Sequence, residues 1–277
     1  MEILENKNKV DCLLANIRRK GHKVALIPTM GSIHKGHLSL IEKSKNLDLF
    51  SMVTIFVNPT QFNDLDDYKQ YPRNKEKDIE LLKKINCDLL FFPSTQNLYP
   101  NGIKISKTIF DYRDILCDKF RPGHFDGVTT VVKSLFDLIK PDCAFFGEKD
   151  FQQIKLIQKI VEKNKLPILI YPCNSVRMSN GMSFSSRYKN FSSSQEQIFD
   201  IVAKKIMNSI LDLKKKIDVT ILENLKKELE KFYIKKIDYL EFRNEINLLP
   251  TIENKNARLF VAFYIDEIRV IDNFILY

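Results

Sequence analysis

Apolar positions in the first 170 residues or so fall in short continuous runs separated by amphipathic stretches. Val24-Ala25-Leu26-Ile27, residues 52–57, Leu89-Leu90-Phe91-Phe92, Cys143-Ala144-Phe145-Phe146 and Ile168-Leu169-Ile170-Tyr171 are five such runs, and Pro28, Asn58-Pro59 and Pro93 close the first three. Between them, residues 37–45, 75–85, 128–139 and 151–161 space their apolar side chains as helices do. Strands that are apolar throughout, rather than alternately, suit a parallel sheet covered on both faces. Alternating strands and helices predict a doubly wound α/β domain. After Tyr171 the pattern changes. Two helical stretches, 194–213 and 219–233, precede strands near 237–242, 259–265 and 268–271, which predicts a smaller C-terminal α+β domain. The expected division is 1–172 and 173–277. No internal repeat or low-complexity linker interrupts it.

Composition narrows the class. The 277 residues are 44% apolar and 29% charged, a globular balance. No apolar run approaches the ~18 residues of a membrane helix. The start, Met1-Glu2-Ile3-Leu4-Glu5-Asn6, fits neither a signal peptide nor an Arg-rich transit peptide. Five scattered cysteines without a CxxC pair indicate neither a zinc site nor a disulfide framework. A reduced, cytoplasmic protein of enzyme size is expected. The formal net charge is +9, and the lysine runs of the last third, such as Lys214-Lys215-Lys216, are interleaved with Asp212, Asp218, Glu223 and Glu228. That mixture reads as a solvated helical face rather than a nucleic-acid patch.

Glycine is scarce and grouped. There are eight, well below the ~7% average, and Gly31, Gly36, Gly123, Gly127, Gly147 and Gly181 sit in four short segments. His34, His37 and His124 share those segments. In a doubly wound sheet ligands bind beyond the carboxyl ends of the strands, which is where these segments fall.

Each segment carries a recognisable chemistry. His34-Lys35-Gly36-His37 lies between a strand and a helix, where free N–H groups and the helix dipole favour an anion. An HxGH loop so placed resembles the signature of the nucleotidyltransferases that activate the α-phosphate of a nucleotide. In Gly147-Glu148-Lys149-Asp150-Phe151-Gln152-Gln153, Lys149 suits phosphate oxygens. Asp150 can cap the next helix, and Gln153 can read a hydroxyl or carboxylate. Ser185-Ser186-Arg187 offers hydroxyls and a guanidinium to a polyphosphate. Asn58-Pro59-Thr60-Gln61-Phe62 brings polar side chains to a strand end, and Arg121 opens a helix as a further anion clamp.

Taken together these segments resemble the pantoate–β-alanine ligase family over nearly the whole chain. The matching stretches are residues 28–38 and 55–62, Tyr71-Pro72-Arg73, residues 121–153 and 182–187, Asp238-Tyr239-Leu240-Glu241 and Arg269-Val270-Ile271-Asp272-Asn273. Three departures stand in the match: Asn180-Gly181 where Asp-Gly is usual, Phe184 in place of a smaller apolar residue, and Tyr188 where Asn is common. The resemblance implies a Rossmann-like first domain and a smaller second domain that covers the ATP site. It also implies condensation of pantoate with β-alanine through a pantoyl adenylate, releasing AMP and pyrophosphate. ATP would be bound by Met30, Gly31, Ser32, Ile33, His34, Lys35, Gly36 and His37, then by Gly147, Glu148, Lys149 and Asp150. Val176, Phe184, Ser185, Ser186 and Arg187 would complete that pocket. His37, His34 and Lys149 would be catalytic. Gln61 and Gln153 would hold pantoate, with Gln61 also near β-alanine. Mg²⁺ is expected with ATP, and the resemblance implies a homodimer with no nucleic-acid or membrane partner.

Without the resemblance, the residues leave other readings open. Another HxGH enzyme would leave its nucleotidyl group on a phosphorylated acceptor. A tRNA-charging enzyme would need an RNA-binding domain for which the last hundred or so residues show no aromatic–basic stripe. A basic nucleic-acid-binding protein would rest on net charge alone.

Overall fold

Val24 to Ile27 are fully buried in the centre of a parallel sheet. The strands are β1 (Glu2–Leu4), β2 (Val24–Thr29), β3 (Phe50–Ile55), β4 (Leu89–Phe91), β5 (Cys143–Gly147) and β6 (Leu169–Cys173). They lie in the order β1-β4-β3-β2-β5-β6, and every neighbouring pair is parallel. The structure, a computed structural model, describes residues 1–63, 65–105, 107 and 109–277, and of Leu65 and Phe232 the backbone alone. Its helices are α1 (Lys7–Arg19), α2 (Lys35–Asn46), α3 (Leu65–Gln70), α4 (Lys75–Lys84), α5 (Thr95–Leu98), α6 (Leu116–Phe120), α7 (His124–Ile139), α8 (Phe151–Lys163), α9 (Ser193–Leu213) and α10 (Val219–Phe232). A second, antiparallel sheet holds β7 (Lys236–Asn244), β8 (Ala257–Ile265) and β9 (Ile268–Ile275). The architecture is therefore the doubly wound parallel sheet with a smaller α+β part that the hydrophobic pattern predicts.

Contacts divide the chain into two compact units. One is Met1–Arg113 with Cys117–Asn174, the other Asp114–Leu116 with Ser175–Tyr277. The first buries Ile27, Ile41, Val53, Leu82, Leu90 and Phe145 in one cluster. The second has its own core, in which Phe199, Val202 and Ile206 of α9 and Leu229 of α10 meet Val261 and Phe263 of β8. Burying each such side chain is worth about 1.5–3 kcal/mol against leaving it in water.

Four differences from the sequence pattern have physical reasons. The hydrophobic pattern singles out no element in residues 2–19, yet they form β1 and α1. β1 is three residues long, too short for a period, and α1 buries only Val10 and Leu14 among charged neighbours. Pro28 does not end β2, which continues to Thr29. Thr29 faces β3 and Val24 faces β5, through the bonds Phe56 N–H to Thr29 O and Asp142 N–H to Val24 O. By alternation the missing N–H of Pro28 falls on the β5 side, where pairing has already stopped at Leu26. β3 runs 50–55 rather than 52–57, because its partner β2 ends opposite Ile55. α7 begins at His124 instead of 128, launched by Gly123 at φ +81°.

Candidate active site

β2 is flanked by β3 on one side and β5 on the other. From β2 the chain winds outward to β3 and β4, and later returns to add β5 and β6. The loops that leave β2 and β5 thus diverge at the topological switch point of the sheet, the crevice where open α/β sheets bind ligands. The β2 loop carries residues 30–34 and leads into α2. The β5 loop is a short 3₁₀ turn, Glu148–Asp150, that leads into α8.

The β2 loop is held from behind. Thr29 Oγ1 donates to Thr54 O at 2.9 Å and accepts the Gly31 N–H at 3.1 Å. Gly31 and Ser32 are successive left-handed residues, at φ +83° and +54°. The buried carboxylate of Asp78, on α4, accepts the N–H of Ser32 at 2.8 Å and that of Ile33 at 2.7 Å. Ser32 and Ile33 are themselves buried, whereas Met30, His34, Gly36 and His37 are half-buried and Lys35 is exposed. His34 is the N-cap of α2 in extended conformation, and its carbonyl accepts the N–H groups of His37 and Leu38. One helical turn brings the two imidazoles together, stacked with centroids 4.0 Å apart and planes at 21°.

At the end of β3 the Asn58-Pro59-Thr60-Gln61 turn packs on the start of α7. Asn58 is buried, caps the turn through Thr60, donates to Gly127 O at 3.2 Å and accepts from Tyr99 Oη at 3.1 Å. Burial pushes the Tyr99 phenol up to about 12, partly offset by a hydrogen bond with Thr60. The Gln61 carbonyl accepts from Arg121 Nη2 at 3.2 Å and lies 2.6 Å from His124 Nδ1. Arg121 was expected as an anion clamp. Its guanidinium reaches Gln61 O and His124 Nε2, so it also braces the turn.

In the β5 loop, Lys149 is largely covered and lies a loose 3.9 Å from the half-exposed Asp150. Asp150 stands at the N-cap of α8 but makes no side-chain cap bond, so its capping role is positional only. The adjacent glutamines divide. Gln152 is buried, with Nε2 donating to Tyr112 O at 2.9 Å and Oε1 accepting from Cys117 N–H at 3.0 Å. Gln153 is half-buried, and among the described residues its amide makes no hydrogen bond within the chain.

Val176, Phe184, Ser185, Ser186 and Arg187 belong to the second unit. There residues 176–184 fold back on themselves, with Met178 N–H on Met182 O and Phe184 N–H on Val176 O. Asp272 of β9 fastens this hairpin by accepting from Ser183 N–H and Ser183 Oγ, both at 2.7 Å, and from Arg177 at 3.1 Å. Ser185 Oγ accepts the Arg187 N–H at 3.3 Å. Two of the departures from the family pattern find local partners. Asn180 donates to Asp200 at 2.7 Å, and Tyr188 stacks on Phe191 and tilts against Phe199.

The sequence reading missed Asp78, Gln152, Tyr99 and Asp272 as supports of these loops. Asp78 carried one signal: it lies four residues before Leu82 and thus on the apolar face of α4, where a solvated acid does not belong.

The comparisons agree with one another. A family profile described as Pantoate-beta-alanine ligase matches residues 2–275. The pantothenate synthetase of a Sulfurihydrogenibium species is 37% identical over 281 residues, covering 99% of each chain. That of Caldicellulosiruptor saccharolyticus is 36% identical over 282 residues, covering 100% of this chain and 99% of its own. The crystal structure of pantothenate synthetase from Thermus thermophilus superposes with a TM-score of 0.89 at 31% identity, covering all of both chains. That of the Francisella tularensis pantoate-beta-alanine ligase, complexed with beta-gamma ATP and beta-alanine, gives 0.86 at 34% identity, covering 100% of this chain and 98% of that one. With its family profile matched almost end to end, this chain belongs to the pantoate–β-alanine ligase family, enzymes of pantothenate synthesis.

Proposed function

We propose that the chain condenses pantoate with β-alanine in two steps driven by ATP. The pantoate carboxylate attacks the α-phosphorus, pyrophosphate leaves and pantoyl adenylate forms. The β-alanine amine then attacks the acyl carbon, loses a proton and displaces AMP. A carboxylate needs no base to act as nucleophile, so the first step asks the protein for alignment and for compensation of phosphate charge. The observation that carries the reading is the stacked His34–His37 pair at the start of α2, which follows β2, the neighbour of β5 whose following turn holds Lys149.

In this reading His37 donates a proton and stabilises phosphate charge, with His34 beside it, and Lys149 takes phosphate oxygens. Met30, Lys35, Gly36, Gly147, Glu148 and Asp150 line the nucleotide, while Ser32 and Ile33 support the same loop from its buried side. Gln61 and Gln153 hold pantoate, and Gln61 also approaches β-alanine. Val176, Phe184, Ser185, Ser186 and Arg187 also bind the nucleotide. The ligands in the Francisella tularensis structure support ATP and β-alanine as substrates. Mg²⁺ would come with ATP and would add to the neutralisation of phosphate charge, for which phosphate oxygens and water would suffice as ligands. Among the described residues no cluster of three His, Cys, Asp or Glu could hold a metal, and the donors of the loops suit phosphate. We extend the proposal to a cytoplasmic homodimer, as the family resemblance suggests. Among the described residues no helix is long and apolar enough to cross a membrane.

Pyrophosphate release from MgATP, with D-pantoate and β-alanine each added and omitted, tests the proposal. Turnover with both, AMP formed in step, and one equivalent of pyrophosphate per site without β-alanine are expected. A folded sample without pantoate-dependent release would overturn it.

A further inference from the structure

We propose that Asp78 is a positioning residue for the reaction: its carboxylate fills the anion-binding concavity of the β2 loop from inside, and so sets the direction of the His34–His37 pair and reserves substrate phosphate for the donors beyond it. The inference rests on the functional reading above.

Successive backbone N–H groups in a turn can converge on one concavity, a geometry that takes anions. Gly31 and Ser32 make such a turn, and the N–H groups of Ser32 and Ile33 converge on it. The anion there is the protein's own. Asp78 is 2% exposed, and each of its oxygens takes one of those N–H groups. The approach is close: a Cβ on Gly31 would lie 3.0 Å from Asp78 Oδ2 and 3.1 Å from Ile55 Cγ2. Ile33 is joined directly to His34, whose carbonyl starts α2 by accepting from His37 and Leu38. Asp78 is therefore one peptide unit from the residue that opens the helix, and the helix carries both rings. With the 32–33 donors occupied, a triphosphate meets the later donors at the helix start and the Lys149 ammonium. A chain with that concavity open could seat a phosphate one residue too early, away from the imidazoles.

Asp78→Asn keeps the volume but turns one acceptor into an NH₂ group facing an N–H. We expect single-turnover pyrophosphate release to fall about 100-fold, the scale on which misplacement by 1 Å acts. The KM for pantoate should stay within about threefold. The imidazole NMR signals of His34 and His37, assigned with His34→Gln and His37→Gln, should move while those of His22 and His124 stay. A merely structural role would lower stability and leave both the imidazole signals and the rate of the folded fraction unchanged; that result overturns the inference. Should Asp78→Asn fail to fold, amide exchange in the wild-type chain decides. Ser32 and Ile33 amides protected like those of β2 support the inference, and rapid exchange there overturns it. Should the wild-type chain show no pantoate-dependent release, the functional reading falls, and the histidine signals of Asp78→Asn still decide whether Asp78 sets the pair.

Discussion

Gly127 on α7 and Thr60 in the turn after β3 touch backbone to backbone: a Cβ on Gly127 would lie 2.1 Å from the Thr60 carbonyl oxygen. Side chains cannot yield here, because the obstacle is main chain. Gly127→Ala must push the turn that carries Gln61 away from α7 and break the Asn58–Gly127 bond. Overpacking of this kind costs about 1–3 kcal/mol or more, which for a chain of this size lowers the melting temperature by about 5 °C. The KM for pantoate should rise more than that for ATP. Thermal unfolding and steady-state kinetics check both; wild-type values in each would mean that the turn gives way without consequence.

Gln152 and Gln153 are neighbours with opposite tasks. Gln152→Ala leaves a buried main-chain N–H at Cys117 and a carbonyl at Tyr112 without their partner. Stability should drop by about 1–3 kcal/mol, with kinetic constants of the folded fraction little changed. Gln153→Ala should leave the melting temperature in place and raise the KM for pantoate. Denaturant titrations beside kinetics separate them, and exchanged phenotypes would reverse the assignment.

Lys149 is largely covered and sits in the turn that leaves β5. Its ammonium is expected to act on phosphate charge rather than on the fold. Lys149→Ala should slow adenylate formation by about 10²–10³, the usual scale for removing one charge-stabilising donor, with unchanged thermal unfolding. Lys149→Arg should recover little, since the guanidinium is longer and planar. Near-normal pyrophosphate release in the folded Ala variant would remove Lys149 from the site.

How far the sequence could be read follows the kind of signal each element carries. β2, β3 and β5 announced themselves because a strand buried on both faces must be apolar throughout, and the HxGH and GEKD loops follow directly from such strands. β1 carried no such signal, because an edge strand of three residues shows no periodicity. The loops themselves were legible, but their supports were not. Asp78, Gln152 and Asp272 act through main-chain N–H and carbonyl groups of segments distant in sequence, and such pairing leaves no local mark. Arg121 is a mixed case: a cation beside a glycine-rich turn reads as an anion clamp, and its contacts with a carbonyl and an imidazole could be seen only in the fold.

Asn180 is the departure with the clearest local reason. Its Nδ2 donates to Asp200 Oδ1 at 2.7 Å, and its Oδ1 accepts the Met182 N–H at 3.1 Å. An aspartate at this position keeps the second bond and sets two carboxylates against each other. Asn180→Asp should lose about 0.2–1 kcal/mol, the scale of exposed charge pairs, and Asp200→Asn should restore it. A double-mutant cycle by denaturation measures the coupling. Additive effects would mean that the pair is not in contact in solution.

Alkaline stability should follow the buried acids. Burial pushes the Cys87 thiol from 9.0 to about 11, with hydrogen bonds to Ser51, Val53 and Leu89 working against the shift. Between those values the unfolded chain gives up its proton while the folded chain keeps it. The stabilisation from this group is therefore complete below about pH 9 and is lost as pH rises through 11, at up to about 1.4 kcal/mol per pH unit. Tyr99, raised from 10.0 to about 12, adds a second loss beginning one unit higher. Urea titrations at pH 8, 9, 10 and 11 should show a declining midpoint. Cys87→Ala removes one titrating group, so its own curve should start lower, from the lost packing, and fall less steeply between pH 9 and 11. Parallel curves for the two proteins would show that the Cys87 proton does not contribute to the loss.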